Sequence, residues 1–140
     1  MADMSITIIT PERTVLKDAP TDAVVIPVVD GSMGILKNHA PMVANLRIGV
    51  LRYKQDGVYK RAAVTGGFAE VSDNRITVLA DAAELAESID VMRAMEARRR
   101  AEARLRQRAE NIDYARAEAA LRRAVARLRA AGALDEEKKD

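Results

Sequence analysis

Arg93 and Arg100 stand seven residues apart, and Arg123 and Arg127 four apart, in stretches dominated by Ala, Arg, Glu and Leu. Either spacing puts its pair on one face of a helix. If the two stretches form an antiparallel pair reversing near positions 110 and 111, Arg93 comes level with Arg127 and Arg100 with Arg123. Four guanidinium groups brought together in this way repel one another unless an anion lies between them. Two other readings compete. The arginines can form a solvated face supported by pairs such as Glu96 with Arg100 and Glu102 with Arg106. They can also contact nucleic-acid phosphates, although acidic residues are interleaved through both stretches and the aromatics that stack on single strands are missing apart from Tyr114. The spacing favours a specific anionic ligand or an acidic protein surface.

Little else in the chain suggests chemistry. No Gly-x-x-x-x-Gly-Lys run is present to cradle a nucleotide phosphate. His39 is the single histidine, and there is no cysteine to complete a metal set or a nucleophilic pair with it. Asp81 and Glu84 are close in sequence but in no recognisable acid/base arrangement. These residues point to a non-catalytic interaction subunit. The 140 residues carry a net charge of +2, distributed unevenly. Residues 1–87 hold 9 basic against 11 acidic side chains, and residues 88–140 hold 14 against 10. The basic character belongs to the second part.

The elements that must carry these residues change type near position 80. Before it, apolar residues alternate with polar ones between turn signals, the pattern of short strands. Strands are expected around Ile6 and Ile8, then over Ala23 to Val29, Leu46 to Tyr53, Val58 to Val64, Phe68 to Val71 and Ile76 to Leu79. Pro27 suggests an edge or a bulge, and Asp56-Gly57 signals a hairpin because both residues tolerate positive φ. Gly66-Gly67 reads as an interruption. This rhythm predicts a β-sandwich or flattened barrel over residues 1–87.

After it, residues 88–134 read as a two-helix hairpin with Ser88 as first N-cap, Asp90 in the first turn, and Asn111 or Asp113 capping the second helix. The turn falls over Arg108 to Asn111, Gly132 ends the second helix, and residues 135–140 form a charged, disordered tail. A narrow apolar stripe of Tyr114, Ala117, Leu121, Ala124, Val125 and Leu128 faces a thinner one of Ala94, Ala97, Ala101 and Leu105. Alanine buries little area, so at ~25 cal/mol per Å² such a seam closes weakly. No stretch reaches the ~18 apolar residues of a membrane span, and Ser5 to Thr10 lacks the continuous apolar stretch of a signal peptide. A place on the cytoplasmic side is expected, with any membrane contact made through partners.

Taken together, three segments resemble the epsilon subunit family of bacterial F-type ATP synthases: Gly31-Ser32-Met33-Gly34-Ile35-Leu36-Lys37-Asn38-His39-Ala40-Pro41-Met42-Val43, Ala63-Val64-Thr65-Gly66-Gly67-Phe68-Ala69-Glu70-Val71 and Ile76-Thr77-Val78-Leu79-Ala80. The resemblance extends from Ile6 to Leu128. It implies a subunit of the rotating central stalk, with the gamma subunit, the c-subunit ring and the alpha/beta catalytic hexamer as partners, at the cytoplasmic face of the bacterial plasma (inner) membrane. Proton flow turns such a stalk to drive ATP synthesis. Asp30, Gly31, Ser32 and Met33 are then expected to face the c ring, and His39 to help form the gamma-facing surface. The helices of such subunits inhibit ATP hydrolysis when extended, which would bring Arg116, Arg122 and Arg129 to the catalytic subunits.

Some members bind ATP as a regulatory ligand, with no cofactor required. Their Ile-Asp-x-x-Arg-Ala motif is similar to Ile89, Asp90, Arg93 and Ala94 here, with Glu84, Arg100, Arg123 and Arg127 as the other matching positions. Asp90 would repel phosphate, so its expected task is to orient Arg93 or to meet the nucleoside end; a plain first-turn carboxylate stabilising the helix is the alternative. Lys37-Asn38 stand where the family often has Pro-Gly, and Ser32 where a Glu is common. A free-standing β-sandwich adaptor with a nucleotide-sensing hairpin is the main rival reading, and a nucleic-acid binder the second.

Overall fold

The structure, a computed structural model, describes residues 3–107 and 112–135. Eight strands precede two helices: β1 (Met4–Ile9), β2 (Thr14–Thr21), β3 (Ala23–Val28), β4 (Gly31–Leu36), β5 (Met42–Gln55), β6 (Val58–Ser72), β7 (Arg75–Ala80), β8 (Ala83–Leu85), α1 (Val91–Arg106) and α2 (Tyr114–Ala130). The strands follow one path, β2-β1-β7-β6-β5-β3-β4, and β8 pairs with β6. Each pairing is antiparallel except that of β1 with β7.

Two long central strands turn this path into a sandwich. β5 and β6 pair from Met42↔Val71 to Gln55↔Val58. The far half of β6, from Gly67 to Ser72, also carries β7, whereas its near half carries β8 on Ala62 to Val64. Likewise β3 joins β5 only at Arg52 to Lys54. Each half of the ribbon therefore belongs to a different layer. Between the layers lie Ile6, Ile8, Val24, Ile26, Ile35, Leu51, Val64, Ile76 and Val78, all fully buried.

Gly66 and Gly67 lie where the ribbon passes from one layer to the other, at φ of 110° and 107°. The chain does not break there, contrary to the interruption read from the sequence; β6 continues through both glycines. A Cβ on Gly67 would collide with the backbone of Leu79 and come within 2.8 Å of Ala80 Cα. The glycine pair is thus a bend inside one strand, placed where a neighbouring strand comes too close for any side chain.

Other departures from the expected strands have local causes. β2 was not expected because Lys17, Asp18 and Pro20 break its apolar alternation, and its pairing with β1 is irregular around Asp18, which has φ of 45°. β4 is an edge strand of Gly, Ser and Met, with only Ile35 fully buried. Pro27 is buried rather than at an edge of the sheet, but it lies past the point where β3 leaves β5, so its missing N–H breaks no pairing on that side. The Asp56-Gly57 hairpin forms as expected, with both residues at positive φ.

Ser88 is not the cap of the first helix. It closes a single 3-10 turn, Ala86–Ser88, and Asp90 caps α1 by accepting the Arg93 N–H at 3.1 Å. Asp113 caps α2 in the same way, accepting from Arg116 N at 3.0 Å. Asn111 and the expected reversal at Arg108 to Asn111 lie outside the described residues, as does the tail beyond Asp135. Gly132, at φ of 80°, ends α2, and Ala133 N donates to Leu128 O at 2.8 Å.

Ala94, Ala101, Ala117, Ala124 and Leu128 are buried as expected for the seam, with Leu121 and Val125 half-buried. Tyr114 is exposed instead, and its hydroxyl donates to Gln107 O at 2.5 Å across the reversal. Glu102 pairs with Arg98, at 3.7 Å, rather than with Arg106. Ala126 and Ala130, absent from the expected stripe, are also buried, packed with Ala63 beside Ile48, Val50 and Ile89. α2 therefore has two covered faces, one towards α1 and one on the outer surface of β5 and β6.

Gly67→Ala is expected to cost at least ~2 kcal/mol, because it combines a positive φ with a backbone collision. Urea denaturation of the full chain measures it; an unchanged midpoint would mean that the ribbon bends elsewhere.

Candidate functional site

The basic residues singled out in the sequence lie on the docked helices, in unequal environments. Arg93 and Arg100 on α1 are exposed, whereas Arg123 and Arg127 on α2 are half-buried. Arg127 Nε donates to Glu84 Oε1 at 2.7 Å, joining residues 43 positions apart. Glu84 belongs to β8, which pairs with β6 through Ala63↔Glu84. The ion pair therefore bridges the sandwich and the hairpin beside the Ala63, Ala126 and Ala130 contact.

The remaining members of the expected site hold structural positions. Ile89 packs against the alanine contact under α2, and Ala94 is buried in the seam. Asp90 does not reach the Arg93 guanidinium; it takes the main-chain N–H of Arg93 instead. This is the geometry of a first-turn carboxylate that stabilises the helix end. Among the described residues, no ion pair engages Arg93, Arg100 or Arg123. Glu84 and Arg127 are the two charged members of the set that are in direct contact.

Arg116, Arg122 and Arg129 lie along the same helix. Arg116 and Arg122 are exposed, Arg122 lying 3.4 Å from Glu118, while Arg129 is half-buried and donates to Asp135 O at 3.2 Å.

A second set of residues forms the turns of the sandwich. Val29 and Asp30 make the tip of the β3–β4 hairpin, with Asp30 at φ of 67°; Gly31 and Ser32 are exposed and Met33 is half-buried. Arg47, which sequence reasoning missed, holds this tip. Its Nε donates to Val28 O at 2.8 Å and its Nη2 to Gly31 O at 3.0 Å. Nothing in the local sequence distinguishes that arginine from other strand residues. At the β4–β5 turn, His39 Nδ1 donates to Ala40 O at 2.8 Å, a bond that puts a proton on that nitrogen. Asn38 precedes it at φ of 66° and its N–H donates to Asn74 Oδ1 at 2.6 Å. An asparagine tolerates this left-handed backbone. Lys37 pairs with Asp3 at 2.5 Å and holds that carboxyl below its usual range.

One further surface escaped the sequence reading. Ile9, Leu79, Phe68 and Asn45 are register partners across β1, β7, β6 and β5, on the face opposite the core. Phe68 is 40% exposed and Val43, in the next row, 68%. Only the strand order, which puts β1 beside β7, aligns them.

Two family models account for almost the whole chain, with the same division between strands and helices. Residues 3–86 match the β-sandwich domain of the ATP synthase delta/epsilon chain, and residues 87–132 its long α-helix domain. The chain belongs to the ATP synthase delta/epsilon family. It is 88% identical to an ATP synthase epsilon chain of Symbiobacterium thermophilum over 138 residues, covering 99% of both. An ATP synthase epsilon chain of Desulfitobacterium hafniense is 50% identical over 101 residues, 72% of this chain and 76% of that one. Among solved structures, a chain of the Euglena gracilis mitochondrial ATP synthase, in an assembly of OSCP, F1 and c-ring, aligns with a TM-score of 0.78 at 28% identity, covering 94% of this chain and 82% of that one. A Tetrahymena thermophila central-stalk chain, at 17% identity and a TM-score of 0.57, shares the fold. Membership in this family makes the protein a central-stalk subunit of an F-type ATP synthase. Among the described residues, no helix is long and apolar enough to cross a membrane.

Asp90→Ala is expected to destabilise the hairpin by about 1 kcal/mol, whereas Asp90→Asn, an equally good cap, leaves it nearly unchanged. Amide hydrogen exchange in the first turn of α1 measures the difference. Equal protection in the two variants would deny Asp90 its capping role.

Proposed function

We propose that this chain is a non-catalytic rotor subunit that couples proton translocation to ATP synthesis and restrains ATP hydrolysis through its two helices. The observation that carries this reading is the way the helices rest on the sandwich. α2 meets β5 and β6 through Ala63, Ala126 and Ala130 beside the half-buried Ile48, Val50 and Ile89, with the Glu84–Arg127 ion pair at the side. Alanine methyls bury little area, and a partly exposed ion pair adds little net stability. Such a contact can open without disturbing the isoleucine and valine core beneath it.

In this reading the sandwich is the docking part. Its gamma-facing surface combines the His39 turn with the row of Ile9, Leu79 and Phe68, and the Asp30 to Met33 hairpin meets the c ring. Association with the membrane, at the cytoplasmic face of the bacterial inner membrane, runs through the complex. Extended, the helices would present Arg116, Arg122 and Arg129 to acidic surfaces of the alpha/beta hexamer. Folded, they would hold ATP as a regulatory ligand, with Arg93, Arg100, Arg123 and Arg127 around its phosphates. The absence of ion-pair partners for three of these arginines among the described residues supports that assignment. A ligand shifts the equilibrium only through its preference for one state, and a tenfold preference is worth ~1.4 kcal/mol.

Two measurements test the reading. A chain ending after Glu87 is expected to co-purify with gamma and to support coupled synthesis; loss of assembly would make the hairpin a structural requirement. Calorimetric titration of the full chain with ATP is expected to show binding that Arg93→Ala and Arg127→Ala each weaken at least about tenfold. No binding by the unmodified chain at millimolar ATP, or equal binding by both variants, would remove the nucleotide role.

A further inference from the structure

We infer that Arg47 is a positioning residue for the tip of the β3–β4 hairpin, and that it ties the ring-facing tip to the strand that also serves the gamma-facing row. The inference rests on the ring-facing reading of that tip proposed above and specifies what holds it in place. The turn itself does not. Val28 pairs with Gly31, so Val29 and Asp30 are the two central residues, and of these only Asp30 has positive φ. Two-residue hairpins favour turns whose first central residue has positive φ, because other turns splay the strands. Asp56-Gly57, with both residues at positive φ, meets that condition and Val29-Asp30 does not.

Strand pairing does not hold the tip either. β3 pairs with β5 from Ala23↔Lys54 to Val25↔Arg52, and β4 lies at the end of the strand path with β3 as its neighbour. From Ile26 onwards the hairpin runs on without backbone pairing to β5. Ile26 and Ile35 root its base in the core, but Val29, Asp30, Gly31 and Ser32 are exposed and bury little. Arg47 closes this gap from β5. Its Nε donates to Val28 O at 2.8 Å and to Gly31 O at 3.2 Å, and its Nη2 to Gly31 O at 3.0 Å. One planar guanidinium thus takes the carbonyls on both sides of the turn and sets their separation. Nη1 donates to Ile48 O at 3.2 Å, which returns the group to its own strand. Gly49 makes room for it: a Cβ there would lie 2.8 Å from Arg47 Nη1 and 2.9 Å from Pro27 Cβ. On the same stretch of β5, Asn45 belongs to the exposed row with Phe68, and Ile48 and Val50 lie beside the alanine contact of α2. The tip is therefore fixed to the strand that serves the other two surfaces.

Hydrogen exchange on the full chain tests the clamp, and proton pumping by the assembled enzyme tests its use. In Arg47→Ala the amides of Gly31 to Met33 are expected to exchange at least about tenfold faster, while those of Ile6 and Ile8 in the core keep their protection. Arg47→Lys should resemble Arg47→Ala, since a single ammonium lacks the planar fork that spans both carbonyls. Val29→Asn with Asp30→Gly supplies a turn that holds itself, and is expected to restore the protection of the tip in Arg47→Ala. In vesicles, enzyme carrying Arg47→Ala should pump fewer protons per ATP hydrolysed than the unmodified enzyme, with gamma recovered in the same proportion.

Unchanged exchange at the tip in Arg47→Ala, or full protection in Arg47→Lys, would overturn the positioning role. Loss of protection at Ile6 and Ile8 together with the tip would make Arg47 a general support of the fold, and overturn it equally. Failure of the two turn substitutions to restore protection would mean that the arginine does not compensate for the turn. A loosened tip with unchanged pumping would overturn the tie to the ring, and the ring-facing reading with it, while the clamp itself stood.

Discussion

At Gly67 only a hydrogen fits on the Cα, and the arrangement of the sandwich depends on that lack of space. The β5–β6 ribbon runs unbroken through both layers, so the layers face each other only if the ribbon bends between them. The bend at Gly66 and Gly67 brings Leu79 and Ala80 of β7 against the strand on one side and leaves the near half free to carry β8 on the other. Ala63, the contact for α2, lies four residues before Gly67 on that near half. The platform on which the helices rest is therefore set by the same bend that closes the core.

The two halves of the chain are held by unequal forces. Inside the sandwich, isoleucine, leucine and valine are removed entirely from water, worth ~1.5–3 kcal/mol each. Between the sandwich and α2 the buried side chains are mainly alanine, and so are those between α1 and α2. The caps from Asp90 and Asp113 help each helix persist as a helix without adding to its attachment. A protein built this way can release its helices while the sandwich stays folded.

Much of this organisation was legible in the residues. The switch from period-two alternation to a proline-free run of Ala, Arg, Glu and Leu separated strands from helices, and Asp56-Gly57 and Gly132 identified their turns correctly. Strands β2 and β4 were not legible, because an edge strand need not alternate and polar residues there face water. Gly66-Gly67 was ambiguous: two glycines break a strand as readily as they bend one, and only the approach of Leu79 decides. The second covered face of α2 was missed because Ala126 and Ala130 are too weakly apolar to register as a stripe. Within the candidate site, numbering alone put Arg127 near other arginines. Its contact with Glu84 depends on β8 pairing with β6, which no local pattern announces.

The irregularity of β2 bears on the chain before it meets any partner. β2 and β4 are the two ends of the strand path, and a bare strand edge invites pairing with another molecule. Along β2, Lys17, Asp18 at positive φ and Pro20 interrupt the regular row of donors and acceptors that such pairing needs. On β4, Leu36 is 64% exposed, but the strand is six residues long and ends at the Lys37–Asp3 ion pair. Copies of the subunit waiting for a place in an enzyme are thereby discouraged from joining edge to edge, and the supply of free, assembly-competent chains is protected by the least regular strand in the fold.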